Sequence, residues 1–174
     1  MNMMKKLITF TILIASSRLF AMELKGLQDV FTATNSQKAT PQLKVMQGNP
    51  PVPIEFKVTK PTIVHFWATW CAPCVDELPK LAASASQFKK SGIDVVFISI
   101  DVGASTKVPL FLTKLKITDL PVFWDSRSDL YKKFSLQMLP TSIFISDKGK
   151  EIGRATGAVS WNADADLKFI KSKI

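Results

Sequence analysis

The stretch Trp70-Cys71-Ala72-Pro73-Cys74 follows an apolar run, residues 62–67, that has the composition of a strand buried on both faces. Two cysteines three residues apart at a helix start are close enough to cycle between a dithiol and a disulfide. They are the only cysteines among the 174 residues. One pair gives no disulfide framework, and two cysteines with one histidine are too few ligands for a structural zinc site. The pair therefore indicates redox chemistry without a metal, and an inert disulfide is the alternative.

The first 21 residues have the layout of a secretory signal peptide. A short basic stretch at residues 1–6 precedes an apolar run at residues 7–15, and small residues follow. We expect cleavage after Ala21, in preference to Ser17, and hence export to the periplasm. An uncleaved anchor that tethers the chain to the membrane is the alternative. Arg18, however, interrupts the run before it reaches the roughly 20 apolar residues that a spanning helix needs.

Length and charge narrow the class of protein. A chain of 174 residues with 47% apolar composition has room for one domain with a sizeable core. The net charge is +9, and removal of residues 1–21 with their three cations would leave +6. The sequence has no arginine-rich run and no alternation of aromatic and basic residues, which are features of nucleic-acid binding. We expect a soluble, monomeric domain that binds no nucleic acid.

After the signal peptide, the chain divides into an irregular N-terminal segment, residues 22–60, and a regular part, residues 61–174. Prolines punctuate the irregular segment, and only a helical turn near residues 27–31 and one strand around residues 52–58 are expected in it. Strand and helix patterns then alternate, which predicts an α/β fold with parallel strands at the centre of its sheet. Residues 62–67 and 93–100 are the predicted central strands.

Apolar residues at helical spacing follow the cysteine pair and predict a helix that ends near Gly92 and is kinked at Pro79. Its predicted buried stripe consists of Cys74, Leu78, Leu81, Ala85 and Phe88. A second helix is expected from about Ser105, with Pro109 in its first turn, and a short third helix at residues 128–134.

The C-terminal part of the sequence predicts an antiparallel hairpin followed by a helix. Residues 141–146 and 151–156 have strand character and flank a turn at residues 147–150. Asn162 is placed to cap the last helix, whose predicted buried stripe consists of Leu167, Ile170 and Ile174.

The position of the pair assigns a role to each cysteine. At a helix N-terminus, unpaired N–H groups and the helix dipole favour negative charge, so Cys71 should ionise more readily than a free cysteine, whose pKa is about 8.5. Cys71 is the predicted nucleophile, and Cys74, one turn along, is the predicted resolving thiol. Neither Ala72 nor Pro73 has a charge or a side-chain donor that would stabilise a thiolate. A less stabilised thiolate makes a less oxidising couple, which favours a reductase over an oxidase.

Residues 66–74, with Pro79 and with Leu139-Pro140-Thr141, resemble the active site of the thioredoxin superfamily. Pro79 matches the helix kink of that family, and Pro140 matches its cis-proline, which faces the cysteines. Glu77, three residues after Cys74, matches the active-site glutamate of the TlpA/ResA-like branch of exported reductases. Residues 116–120, 124–125 and 157–161 also resemble segments of that branch.

The resemblance implies a thioredoxin fold: a central mixed β-sheet flanked by helices, with a cis-proline loop and a C-terminal β-hairpin plus helix. It implies a protein-disulfide reductase whose substrates are exported proteins, typically apocytochrome c or copper-site proteins of cytochrome oxidase assembly. Electrons would come from a membrane thiol transporter, and no cofactor is implied beyond the Cys71–Cys74 disulfide. The implied substrate-contacting residues are Trp70, Ala72, Pro73, Leu139 and Pro140.

Two features depart from the family pattern. Residues 22–60 lack the usual glycine-bearing hairpin before the active-site strand, and His65 occupies a position where thioredoxin has aspartate and this branch often has asparagine. His65 is either a possible proton relay or a satisfied core residue. Glu77 is either an acid and base for the resolving thiol or a surface carboxylate.

Three other functions fit the sequence less well. A disulfide oxidase or isomerase could use the same fold and pair, and only the reduction potential separates it from a reductase. A Sco-like copper-binding module would need a distal histidine, whereas the only histidine, His65, lies just before the motif. A peroxidase is disfavoured because neither cysteine lies in a Pro-x-x-x-Thr-x-x-Cys setting.

Overall fold

The structure is a computed structural model that describes residues 25–34, 39–117, 120–125 and 127–174. The predicted signal peptide lies outside the described residues. Eight strands of the described part form one sheet, in the order β1-β8-β7-β4-β5-β6-β2-β3. The strands are β1 Phe31–Ala33, β2 Leu43–Gln47, β3 Val52–Phe56, β4 Thr62–Trp67, β5 Asp94–Ser99, β6 Val122–Trp124, β7 Thr141–Ile145 and β8 Glu151–Thr156. The helices are α1 Leu27–Val30, α2 Ala72–Lys90, α3 Ala104–Lys114, α4 Asp129–Lys133 and α5 Ala163–Lys171.

The centre of the sheet is β4, which pairs in parallel with β5 and antiparallel with β7. All six of its side chains are buried, as its continuous apolar run predicted. Ile63 and Trp67 face one core, which holds the cysteines, α2 and α5. Val64 and Phe66 face a second core, which includes side chains from α4. Layers on both faces hold β4 rigidly, and the chain that leaves its carboxyl end leads into the cysteine pair.

Helix α2 confirms the stripe predicted from its sequence. Cys74, Leu78, Leu81 and Phe88 are buried, and Ala85 is partly buried against the same core. Cys71 is the N-cap, and Pro73 lies in the first turn, where no intrahelical N–H bond is lost. Pro79 lies inside the helix with its side chain exposed. Proline has no N–H, so one intrahelical hydrogen bond is missing at this position. The helix continues through it because packing against the core stabilises the helix.

The C-terminal hairpin and helix are also confirmed. Strands β7 and β8 pair antiparallel, and the Asn162 side chain accepts a hydrogen bond from the Ala165 N–H. Two details were wrong. Ile174 is 49% exposed because α5 ends at Lys171 and leaves it beyond the buried stripe. Pro109 lies in the second turn of α3, because that helix starts at Ala104.

The largest correction concerns residues 43–56, where no glycine-bearing hairpin was expected. Strands β2 and β3 form such a hairpin, with Gly48 at a φ of 83° in its turn and a cis bond between Asn49 and Pro50. The hairpin joins the edge of the sheet through a bridge between β2 and β6. The apolar pattern of this hairpin in the sequence is weak because only Leu43 and Val45 of the two strands are fully buried. Strand β1, which pairs with β8, was also not predicted.

None of the helices within the described ranges has both the length and the apolar character that crossing a membrane requires.

Candidate active site

Cys71 and Cys74 form a disulfide at the start of α2, with their Cα atoms 5.3 Å apart. Strand β4 ends at Trp67, and a turn closed by the Cys71 N–H and the Ala68 carbonyl delivers the first cysteine to the helix N-terminus. Cys71 is 7% exposed and Cys74 is fully buried. An incoming group therefore reaches Cys71 first, as the assignment of nucleophile and resolving thiol requires.

The residues around the disulfide differ in accessibility. Trp70 is 66% exposed, whereas Trp67 is buried in the core. Ala72 is exposed and Pro73 is partly exposed. Trp70 thus places a large aromatic side chain on the surface directly beside Cys71, where it could contact a protein partner.

Pro140 lies at the same end of the sheet as the cysteines. The bond between Leu139 and Pro140 is cis, as predicted. Thr141 pairs with Phe66, so the start of β7 lies beside the carboxyl end of β4. The Pro140 carbonyl accepts a hydrogen bond from the Gly157 N–H, and Leu139 is partly buried between the two cores. The structure thus brings Leu139 and Pro140 to the edge of the sheet from which the cysteine loop leaves.

Glu77 is fully buried, so the surface-carboxylate alternative is wrong. It shares the buried face of α2 with Cys74, which precedes it by about one turn. One carboxyl oxygen, Oε2, accepts a hydrogen bond from the Val159 N–H. Burial raises the pKa of the Glu77 carboxyl to about 8, although the Val159 N–H and the Trp161 side chain limit the rise. The carboxyl therefore keeps its proton at neutral pH most of the time.

His65 is also fully buried, and it contacts Glu77. Its Nε2 lies 3.3 Å from Glu77 Oε1, and its Nδ1 lies 2.9 Å from the Ser142 hydroxyl. The ring also packs edge-on against Phe97. Burial lowers the pKa of the His65 imidazole to about 3, so the ring is neutral. The sequence indicated each residue separately but gave no sign that strand β4 and helix α2 bring them together.

Asp101 is a site residue that the sequence analysis missed. It follows β5 and is fully buried, yet its carboxylate accepts three hydrogen bonds. The donors are the Thr69 N–H at 2.8 Å, the Thr69 hydroxyl at 2.6 Å and the Ser99 hydroxyl at 2.8 Å. Lys107 Nζ lies 3.9 Å away. Because Thr69 is two residues before Cys71, Asp101 fixes the loop that presents the nucleophile. The sequence signal that could have identified Asp101 was its position just after a predicted central strand. The end of that strand lies next to the carboxyl end of β4.

Replacing Asp101 with alanine should destabilise the protein by roughly 2 to 4 kcal/mol, because two partly buried donors on Thr69 and the buried hydroxyl of Ser99 lose their acceptor. Urea unfolding of the oxidised protein measures this change. The matched control is Asp76→Ala, which removes an exposed carboxylate from α2 and should cost no more than about 0.5 kcal/mol. Equal effects of the two substitutions would contradict the role assigned to Asp101.

The described residues contain no cluster of three or more histidine, cysteine and carboxylate side chains that could hold a metal ion.

The sheet, the disulfide at the start of α2 and the cis-proline at the same end of the sheet together define a thioredoxin-fold protein with a disulfide-forming cysteine pair. Residues 37–151 match the AhpC/TSA family, and the chain belongs to that family. The thiol-disulfide oxidoreductase ResA of Bacillus subtilis is 30% identical over 101 residues, which cover 58% of this chain and 55% of ResA. These matches confirm the resemblance to the thioredoxin superfamily and its ResA-like branch.

Solved structures agree on the fold. StoA from Bacillus subtilis is 26% identical and has a TM-score of 0.59, over 77% of this chain and 99% of that chain. The exposed lipoprotein thioredoxin Etrx1 of Streptococcus pneumoniae is 22% identical and has a TM-score of 0.58, over 74% of this chain and 97% of that chain. The predicted thioredoxin fold is confirmed. The chain spans about half the length of the curated relatives it matches.

Proposed function

We propose that this protein is an exported thiol:disulfide oxidoreductase that reduces disulfides in other exported proteins. The observation that carries the proposal is the Cys71–Cys74 disulfide at the start of α2, with only Cys71 partly exposed. Relatives named thiol-disulfide oxidoreductases support it.

The reaction begins from the dithiol. The Cys71 thiolate attacks one sulfur of a substrate disulfide, a mixed disulfide forms, and the other substrate sulfur leaves as a thiolate. Cys74 then loses its proton and attacks the Cys71 sulfur, which releases the second substrate sulfur. Two electrons have passed to the substrate, and the Cys71–Cys74 disulfide remains. A membrane thiol transporter would return two electrons to it.

Glu77 is the proposed acid and base for Cys74. It is buried about one turn beyond Cys74 on the same helix face, in surroundings that keep solvent away. A group with a pKa of about 8 can both give and take a proton near neutral pH. In its ionised form Glu77 takes the Cys74 proton when the thiol attacks, and it returns that proton when the disulfide is reduced again.

The composition of the motif supports reduction over oxidation. Ala72 and Pro73 place no charge or side-chain donor between the cysteines. A thiolate without such stabilisation makes the dithiol a better electron donor. A strong oxidase would need the opposite surroundings.

The substrates we propose are disulfides of apocytochrome c or of copper-site proteins of cytochrome oxidase, reached in the periplasm after residues 1–21 direct export. Trp70, Ala72 and Pro73 would contact the substrate on one side of Cys71, and Leu139 and Pro140 on the other. Exposure of Trp70 and the shared sheet edge support this surface. The protein would act as a monomer.

A disulfide-bonded peptide with a Cys-x-x-Cys-His sequence tests the proposal. The fully reduced chain is mixed with an equimolar amount of the oxidised peptide, and both are alkylated and weighed by mass spectrometry. We expect the peptide to become reduced while the chain becomes oxidised. If the chain stays reduced and the peptide stays oxidised, the cysteine pair is too oxidising for a reductase and the proposal fails.

A further inference from the structure

Three buried polar side chains from three elements form a line behind the cysteines. Glu77 comes from α2, His65 from the central strand β4, and Ser142 from β7, where it pairs directly with His65. Glu77 Oε1 lies 3.3 Å from His65 Nε2, and His65 Nδ1 lies 2.9 Å from Ser142 Oγ. All three residues are at most 2% exposed. Each ring nitrogen of His65 therefore faces one defined partner, without competing bulk water.

The chemistry of a neutral imidazole limits how this line can be protonated. One ring nitrogen carries the proton and donates, and the other accepts. When Glu77 is protonated, its O–H can donate to Nε2, so the ring proton is on Nδ1 and points to the Ser142 oxygen. When Glu77 is ionised, Nε2 carries the proton and donates to the carboxylate, and the Ser142 hydroxyl donates to Nδ1.

We propose that His65 changes tautomer with the protonation state of Glu77 and thereby carries protons between Glu77 and Ser142. The use of this route in the resolving step rests on the proposed function. The tautomer change itself does not depend on that function. The proton balance is closed. The Glu77 proton moves to Nε2, the Nδ1 proton moves to the Ser142 oxygen, and the proton previously on that oxygen passes to a solvent water, so the line loses one proton.

Among the side chains that pack around this line, Glu77 is the group that titrates near neutral pH. Phe97 faces His65 from β5, and Val159 and Trp161 face Glu77 from the segment before α5. Cys74 precedes Glu77 on α2 and holds no proton in the disulfide. None of these side chains ionises in the oxidised protein, and burial keeps His65 neutral. A proton gained or lost here near neutral pH therefore belongs to Glu77.

The route ends on the strand that follows the cis-proline. Ser142 is the second residue after the cis-proline Pro140, on the strand that begins beside the carboxyl end of β4. A proton that reaches Glu77 from Ser142 would thus enter from the cis-proline side of the site. It would not need to pass the disulfide.

Nitrogen-15 NMR of the imidazole tests the tautomer change directly, because the chain contains a single histidine. The full oxidised chain, labelled at histidine, is titrated from pH 5 to pH 10. We expect the Nδ1–H tautomer at low pH and the Nε2–H tautomer at high pH. The Glu77→Gln variant should show one tautomer at every pH. A single tautomer throughout the wild-type titration, or a doubly protonated ring, would overturn the proposal.

Variants of Ser142 test the second half of the route. Ser142→Ala should slow exchange of the imidazole proton with solvent by about tenfold or more, because Nδ1 loses its contact with the Ser142 hydroxyl. Ser142→Thr retains a hydroxyl and should restore the rate. Ser84→Ala, which removes another buried hydroxyl from α2, is the control and should leave exchange unchanged. Unchanged exchange in Ser142→Ala would overturn the role of Ser142.

These measurements separate the two proposals. They use the oxidised protein and need no disulfide substrate. A tautomer change in a chain that fails to reduce the peptide would refute only the proposed function. Peptide reduction by a chain with a fixed tautomer would refute only the relay.

Discussion

The Cys71→Ser variant is expected to reduce the peptide disulfide at least about a thousandfold more slowly than the wild-type chain, since removal of a nucleophile eliminates the first bond-forming step. A serine hydroxyl does not ionise near neutral pH, so the helix N-terminus has no anion to stabilise. Cys74 cannot substitute for Cys71, because it is fully buried and no substrate sulfur can reach it. The rate is measured by quenching samples with an alkylating reagent at set times and determining the fraction of alkylated peptide thiols.

Cys74→Ser is the matched control for this prediction. It retains the nucleophile and loses the resolving thiol, so it should form the mixed disulfide and accumulate it. Mass spectrometry of the alkylated mixture distinguishes the two variants. Accumulation of a mixed disulfide in Cys71→Ser, with none in Cys74→Ser, would reverse the assigned roles.

The buried Glu77 should make the free energy of unfolding fall as the pH rises from about 4.5 to about 8. In the unfolded chain this carboxyl ionises at its ordinary pKa of 4.5, whereas burial raises the pKa to about 8 in the folded chain. Between these values the folded state binds more protons, so rising pH favours unfolding. The loss across the window should be roughly 3 to 5 kcal/mol.

The buried His65 should lower the free energy of unfolding at acidic pH. Its pKa is 6.5 in the unfolded chain and about 3 in the folded chain. The unfolded state therefore binds more protons below pH 6.5, and the free energy of unfolding falls as the pH drops from 6.5 towards 3. Between pH 4.5 and 6.5 the two effects oppose each other and nearly cancel. The pair should give a plateau of stability in that range, with a decline on both sides.

Urea unfolding of the oxidised chain between pH 3 and 9 checks both declines. The difference in unfolding free energy between the wild type and Glu77→Gln isolates the carboxyl, because glutamine keeps its size and can accept from the Val159 N–H. This difference should fall from pH 4.5 to pH 8. If it stays constant across that range, Glu77 titrates normally and its proposed role in proton transfer fails.

The sequence predicted the central strand, the helix with the cysteines, the cis-proline and the C-terminal hairpin because their signals are local. The apolar run at β4 and the helical stripe after Cys74 each identify an element within one short window. Pro140 lies just before a strand and within a family motif. These elements hold the two cysteines and the surface around them.

The parts that could not be predicted depend on contacts between distant residues. The β2–β3 hairpin lies at the sheet edge, where only Leu43 and Val45 need to be fully buried, so its alternation is weak. The contact of His65 with Glu77 depends on how α2 crosses β4. Asp101 reaches Thr69 only because β4 and β5 are parallel and end together. The first two of these pairings have no signature in the sequence, and the signal for Asp101 is limited to its position after a central strand.

The most direct test of the central claim is the reduction potential of the Cys71–Cys74 pair. The full chain is equilibrated with glutathione redox buffers, and the oxidised fraction is measured by thiol alkylation. A reductase supplied with electrons predicts a potential below about −220 mV, towards that of thioredoxin. A potential near −120 mV, typical of a strong disulfide donor, would contradict the account.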